Sequence, residues 1–199
     1  MAKAKKTARR PARRRSGGNR NESAGDAISL LKKDHQQVKG WFEEFESARA
    51  DARKQDLAAR ICRALKVHTE IEHEIFYPAF LEATGEEDIH HEAEVEHESA
   101  KKLIAEIEQS GPEDEYYEAR VKVLSEMIKH HVNEEEMRDG MFAKARQSQM
   151  DLQALGEQLA QRKAQLMGSE SGAGDERSAR ASRTAQGRSR QDSRSTVRQ

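Results

Sequence analysis

Apolar residues recur at alternating steps of three and four through four separate stretches of this chain, which is the helical period and not the period of a strand. In the first stretch Ile28, Leu31, His35, Val38, Phe42 and Phe45 share one face, behind Asp26, a good helix N-cap. The second begins near Asp56 and aligns Leu57, Ile61, Leu65, His68, Glu72, Ile75 and Ala79 before Gly85 stops it. The third, roughly 86–109, aligns Ala93, His97, Ala100, Ile104 and Ile107. The fourth follows Gly111, with Pro112 expected in its first turn, and aligns Val121, Leu124, Ile128, His131 and Glu135, with Phe142 continuing the face. No alternating Val/Ile/Thr/Tyr run reads as a strand. The spacing therefore predicts an all-α chain: an up-down-up-down four-helix bundle over 26–147, since short connections make successive helices antiparallel. A fifth amphipathic stretch, 148–167, sets Leu152, Leu155 and Leu159 on one face and is expected to dock as a C-terminal helical extension.

The ends have little to bury. Residues 1–25 and 168–199 are mostly Arg, Ser, Gly and Ala, so folding would not offset their backbone entropy, and both are expected to be disordered basic tails. The formal net charge of -1 hides this division. The N-terminal arm carries nine Lys and Arg against Glu22 alone, and the C-terminal tail seven Arg against four acids, which leaves 19 basic against 31 acidic groups between them. The run Lys5, Lys6, Arg9, Arg10, Arg13, Arg14 and Arg15 suits weak, non-specific nucleic-acid contact through phosphate; no aromatic is interleaved to stack on bases. No apolar run reaches membrane-spanning length, and the basic start lacks both the apolar stretch of a secretory signal and the large apolar side chains of an amphipathic transit helix. With Cys62 the one cysteine, a disulfide framework and a multi-cysteine metal site are excluded, and a reducing cytoplasmic setting is expected.

The feature that asks for chemistry is polar. All eight histidines lie between 35 and 131, and four of them sit on the apolar seams of four different helices. His68/Glu72 and His131/Glu135 further place an imidazole and a carboxylate four residues apart, on one inward face. Burying such groups is costly unless something satisfies them, and a metal would neutralise the carboxylates and accept the imidazole nitrogens. Carboxylate and imidazole without thiolate favour iron or manganese, with zinc possible. His35, His68, Glu72, His97, His131 and Glu135 are too many ligands for one tetrahedral ion and about right for two ions sharing carboxylates.

Within the fourth helix His130 and Glu134 repeat the same spacing. The phase of Val121, Leu124 and Ile128 favours His131/Glu135, whereas Val123 and Met127 extend the His130 face. His73, His90 and His91 have acidic neighbours and are expected to be solvated, as are two of the three members of Glu134-Glu135-Glu136. Glu94, near His97, is a spare carboxylate for the site. Trp41, Phe76 and Tyr77 are expected to pack in the core or at a bundle end, and Cys62 to be a small buried residue.

The stretches KKDHQQVKGWFEEF, VHTEIEHEIFYPAF, AEVEHESAKKLIAEIE and MIKHHVNEEE, in that order, resemble the hemerythrin family, specifically the bacterial hemerythrin-like domains named for a His-His-Glu cation-binding pattern. The resemblance covers about 26–145. It implies a non-haem centre of two iron ions (Fe2+/Fe3+) in a four-helix bundle, binding dioxygen reversibly in the oxygen-carrying members and handling nitric oxide, peroxide or iron and oxygen sensing in related domains. Carried over by position, His35 is the first-helix ligand, His68 and Glu72 the second-helix pair, His97 the third-helix histidine, and His131 and Glu135 the fourth-helix pair, with Glu72 and Glu135 as bridges. The chain departs from the oxygen carriers in three places: Ala93 stands where a second third-helix histidine would be, Glu135 replaces an Asp spaced five residues after its His, and 137–143 replaces a shorter ending.

The function so implied is uptake or sensing of oxygen, nitric oxide or iron, with a small diatomic ligand or peroxide as partner and a role in oxidative or nitrosative stress protection. Two further readings stand beside it. One is a di-iron enzyme that turns over peroxide or nitric oxide; the other is a nucleoid-associated or scaffold protein acting through its tails. No Ser-His-Asp set, phosphate-binding Gly loop or dinucleotide fingerprint points to another enzyme class. Nothing in the sequence sets the oligomeric state.

Overall fold

A computed structural model describes residues 25–168. The basic ends, with Lys5, Lys6, Arg9, Arg10, Arg13, Arg14 and Arg15, lie outside the described residues, which hold no strand.

Helix α1 (Ala27–Ser47) begins where the Asp26 carboxylate accepts a hydrogen bond from the Ser29 amide at 2.7 Å. Helix α2 (Asp51–Ile71) starts ahead of Asp56, because its first turn is polar and carries no apolar period. Asp51 stands there in the positive field of the N-terminal amides. One π-helical turn, Glu72–Phe76, continues without a break into α3 (Tyr77–Thr84), which ends at Gly85 in the left-handed conformation (φ 68°). Helix α4 (Glu87–Gln109) follows, and α5 (Tyr117–Glu136) starts later than Pro112, which lies in the preceding turn. Asp114 closes that turn: its carboxylate accepts from the Tyr116 amide at 2.8 Å and its carbonyl from the Tyr117 amide at 3.0 Å.

Helix α1 packs on α2 and α5, and α4 on α5 and α2, so the four long helices form a bundle. Beyond α5 the chain turns through Gly140, where a Cβ would stand 2.0 Å from the Glu134 carbonyl oxygen. Only glycine allows that approach, and it lets α6 (Met141–Gln147) fold under the bundle end with Met141, Phe142 and Ala145 buried. A last helix, α7, spans 152–168 and inserts Leu159, with Leu152 and Leu155 partly covered. It is tied to the bundle by Arg162 on Glu74 at 2.7 Å and by Lys163 on Asp34. No helix among the described residues is long and apolar enough to cross a membrane.

The core is two apolar clusters with a polar layer between them. One cluster contains Val38, Phe42, Leu57, Leu65, Ala100, Ile104 and Leu124; the other contains Leu31, Ile71, Phe76, Phe80, Ala93, Met141 and Leu159. Three of the site histidines occupy the seam position where their helix passes from one cluster to the other, His35 between Leu31 and Val38, His68 between Leu65 and Ile71 and His97 between Ala93 and Ala100, and His131, beyond Leu124 on α5, meets His97 in the same layer. All four histidines therefore reach the same level of the bundle. The two clusters secure that level, since truncating one of their large side chains to Ala would cost roughly 2–5 kcal/mol.

The π turn changes one expectation. One extra residue rotates the chain beyond Glu72, so Phe76, Tyr77 and Phe80 face inward and Ile75 and Ala79 are only half-buried. Phe142 is buried as expected, but on α6 and not as a continuation of α5.

Candidate metal centre

Six polar side chains project from α1, the α2–π segment, α4 and α5 into the layer between the clusters, all nearly inaccessible: His35, His68, Glu72, His97, His131 and Glu135. Their Nε2 atoms meet in two pairs, His35 with His68 at 3.1 Å and His97 with His131 at 3.0 Å. Glu72 lies across the pairs, with Oε1 at 3.2 Å from His68 Nε2 and Oε2 at 3.5 Å from His97 Nε2. Glu135 Oε2 sits 3.4 Å from His35 Nε2 and 3.7 Å from His131 Nε2. Donor atoms of His35, His68, Glu72 and Glu135 fall within 4.8 Å of one another, as do those of Glu72, His97 and His131, so Glu72 belongs to both groups.

Both Glu72 oxygens and Glu135 Oε2 are buried without a hydrogen-bond partner. Buried carboxylates left so are costly, and cations between them would satisfy them. Two imidazole nitrogens bound to one ion at ~2.1 Å lie about 3 Å apart when the bonds are at right angles, which is the spacing of both histidine pairs. The donor set therefore fits metal ions, and hard to borderline ones, because no thiolate is present. Cys62 sits in the apolar cluster, where burial pushes its thiol up to about 12.

Without a cation the site holds protons. Burial pushes the Glu135 carboxyl up to about 8, helped by the Glu72 carboxylate facing it. Burial alone would lower His68 and His131, but Glu72 and Asp34 hold the first up at about 10, and Glu135 and Glu96 hold the second up at about 9. Their partners go the other way: burial, then the charges on His68 and His131, push His35 down to about 2 and His97 further still. Each close pair thus joins one protonated ring to one neutral ring.

Carboxylates hold the outer ring nitrogens. His35 Nδ1 donates to Glu136 Oε1 at 2.8 Å and His131 Nδ1 to Glu96 Oε2 at 2.8 Å, while His68 Nδ1 faces Asp34 Oδ2 at 3.5 Å. Such partners fix the tautomer that presents Nε2 inward. Lysines cap two of the three carboxylates, Lys32 on Glu136 at 2.8 Å and Lys163 on Asp34.

Sequence reasoning missed these carboxylates and Tyr77. Glu136 was expected to be solvated, yet it is partly covered and committed to His35. Tyr77 is fully buried, stacks on His97 and donates from its hydroxyl to Glu135 Oε1 at 3.3 Å, with His97 Nε2 also 3.3 Å away. Burial, then Glu72 and Glu135, hold its phenol well above the usual range. His73 and His90 are also less solvated than expected, each with one buried, unpartnered ring nitrogen and each flanking Tyr77; His91 is exposed. Glu94 does not reach the centre and lies beside His73 and His90. On α5 the geometry separates the alternatives: the His131 side chain is 5% exposed and points inward, whereas that of His130 is 63% exposed.

The family model described as the hemerythrin HHE cation binding domain matches residues 26–144. The crystal structure of a hemerythrin HHE cation binding domain-containing protein from Mycobacterium kansasii is similar with a TM-score of 0.62 and 26% identity, over 73% of this chain and 89% of that one. A curated protein described as a DNA nickase, from Nostoc sp., is 28% identical over 107 residues, which is 54% of this chain and only 30% of that relative.

Proposed function

The chain belongs to the hemerythrin HHE cation-binding family, and on that premise we propose that it holds two iron ions between its histidine pairs and uses them to take up or sense a small ligand such as oxygen or nitric oxide. The observation that carries this reading is Glu72, fully buried, with each oxygen directed to a different histidine pair and neither one hydrogen-bonded. His35 and His68 would hold one ion, His97 and His131 the other, with Glu72 and Glu135 shared. Bound iron would supply reversible one-electron chemistry and an exchangeable position for the small ligand. Manganese or zinc would fit the same donors.

The protein's own groups shape what can approach. Phe142 stacks on His35 at 5.8 Å between ring centroids and closes the α6 side. A cavity of about 70 Å³, lined by Ala93, Glu96, His131, Glu135 and Met141, opens on the α4–α5 side. Tyr77 keeps a hydroxyl proton beside Glu135. Buried Cys62 is compatible with a cytoplasmic setting.

The Ala93 cavity favours a second reading, turnover of peroxide or nitric oxide, because space beside the donors admits a reactant. Timed consumption of each by reduced protein separates the two readings: stoichiometric reaction supports binding or sensing, repeated turnover supports an enzyme. Ala93→His fills the cavity and should slow oxidation of the reduced protein in air. Weak nucleic-acid contact through Lys5 to Arg15 is a separate proposal, supported by their charge. The nickase activity is that of the longer relative.

A further inference from the structure

Resting on the reading of the buried centre as a metal site, we propose that Glu96, His130 and Glu134 form a third cation site, on the outer face of α4 and α5, which takes up a divalent transition-metal ion and passes it inward. The three residues bring one ligand atom each within 4.8 Å of one another. His130 Nε2 lies 3.1 Å from Glu134 Oε1 and 3.4 Å from Glu96 Oε1. His130 and Glu134 are one turn apart on α5 and Glu96 comes from α4, so two rigid helices hold the group. An imidazole and two carboxylates are the same donor classes as those of the buried centre.

The three carboxylates behind the inner histidines make the contrast. Glu136 and Asp34 each have a lysine on their second oxygen. Among the described residues, the ion pairs of Glu96 are with His131 and His130, and a further carboxylate, Glu134, stands where a lysine would. A divalent cation supplies the positive charge that Lys32 and Lys163 supply elsewhere.

A way inward adjoins the group. The 70 Å³ cavity has Glu92, exposed, and Glu96 and Glu134, half-buried, toward solvent, and Ala93, His131 and Glu135 at its buried end. Glu135 is 2% exposed and its Oε2 lies 3.4 Å from His35 Nε2 and 3.7 Å from His131 Nε2, so the cavity ends against a residue of the buried centre itself. The cavity is larger than a single water requires, enough for an ion shedding its hydration shell. Glu96 touches both ends of the route, with Oε1 toward His130 and Oε2 on the inner ligand His131 at 2.8 Å.

The test uses the full-length chain stripped with a chelator and titrated with Mn2+ alone, free ion being read by its electron paramagnetic resonance. The wild-type chain should hold two ions tightly and a third more weakly. His130→Ala and Glu134→Gln should each lose the third ion, keep the other two, and fill the buried pair about tenfold more slowly. Two ions with no third overturns this inference and leaves the buried centre standing. A third ion whose loss leaves the filling rate unchanged overturns the delivery role. No retained Mn2+ in the wild-type chain overturns the buried centre as well.

Discussion

His35 and Glu136, 101 residues apart in sequence, meet at 2.8 Å, and Lys32 secures the second oxygen of that carboxylate at 2.8 Å. The contact orients the imidazole with Nε2 inward, and His131 with Glu96 repeats it on the other side of the bundle. Glu136→Gln weakens the acceptor and removes the charge while keeping the shape. Metal affinity, read by chelator competition, should fall about 10–100-fold with little change in melting temperature. Unchanged affinity would show that the carboxylate is only a surface ion pair.

Glu72 is fully buried, and in the metal-free protein its Oε1 lies 3.2 Å from His68 Nε2, the ring that it keeps protonated. Glu72→Leu should abolish metal retention and, by taking that partner from a buried imidazolium, destabilise the metal-free chain by roughly 1–3 kcal/mol at pH ~6.5. Urea unfolding in the presence of chelator measures this, and higher stability in the variant would contradict it.

The metal-free protein should be most stable near pH 6.5. Unfolded histidines titrate at ~6.5. His68 and His131, at about 10 and about 9, hold protons more tightly when folded, so their contribution is full below ~6.5 and is lost as pH rises through those values. Glu135, at about 8 when folded and ~4.3 when unfolded, contributes fully only below ~4.3 and loses that contribution as pH rises to about 8, which offsets part of the gain from His35 and His97 below pH ~6.5 and adds to the loss above it. His35, at about 2, and His97 contribute above ~6.5 and lose that contribution as pH falls. At pH 7 a bound metal should displace roughly two to three protons per chain, measurable by calorimetry in two buffers of different ionisation enthalpy. Uptake without proton release would contradict this assignment.

How much of this was legible follows from periodicity. His35, His68, Glu72, His97, His131 and Glu135 lie in phase with Leu, Ile and Val on each helix, so the sequence placed them on inward faces. Tyr77 was not legible as a site residue, because it turns inward only through the π-helical turn at Glu72–Phe76, which adds a residue that the 3.6 period does not count. Glu96, Glu136 and Asp34 were hidden for another reason. A carboxylate beside other charges reads as solvated until the partner helix brings a histidine Nδ1 to it, and pairings such as 35 with 136 exist only in three dimensions.

Removing residues 1–24 should abolish any salt-sensitive retention on DNA and leave metal content unchanged. The segment between the tails carries 31 acidic against 19 basic groups and would repel phosphate. Retention that survives the deletion and ignores salt would place nucleic-acid contact in the bundle.

The most direct test of the buried centre is the metal content of full-length protein purified without added metal, compared with His68→Ala and Glu72→Ala, with circular dichroism to confirm retained helix. About two equivalents of iron per chain in the wild type, and loss of stoichiometric metal in both variants with the helices intact, is the predicted result. Full occupancy in the variants, or a wild-type chain that holds no metal, would contradict it.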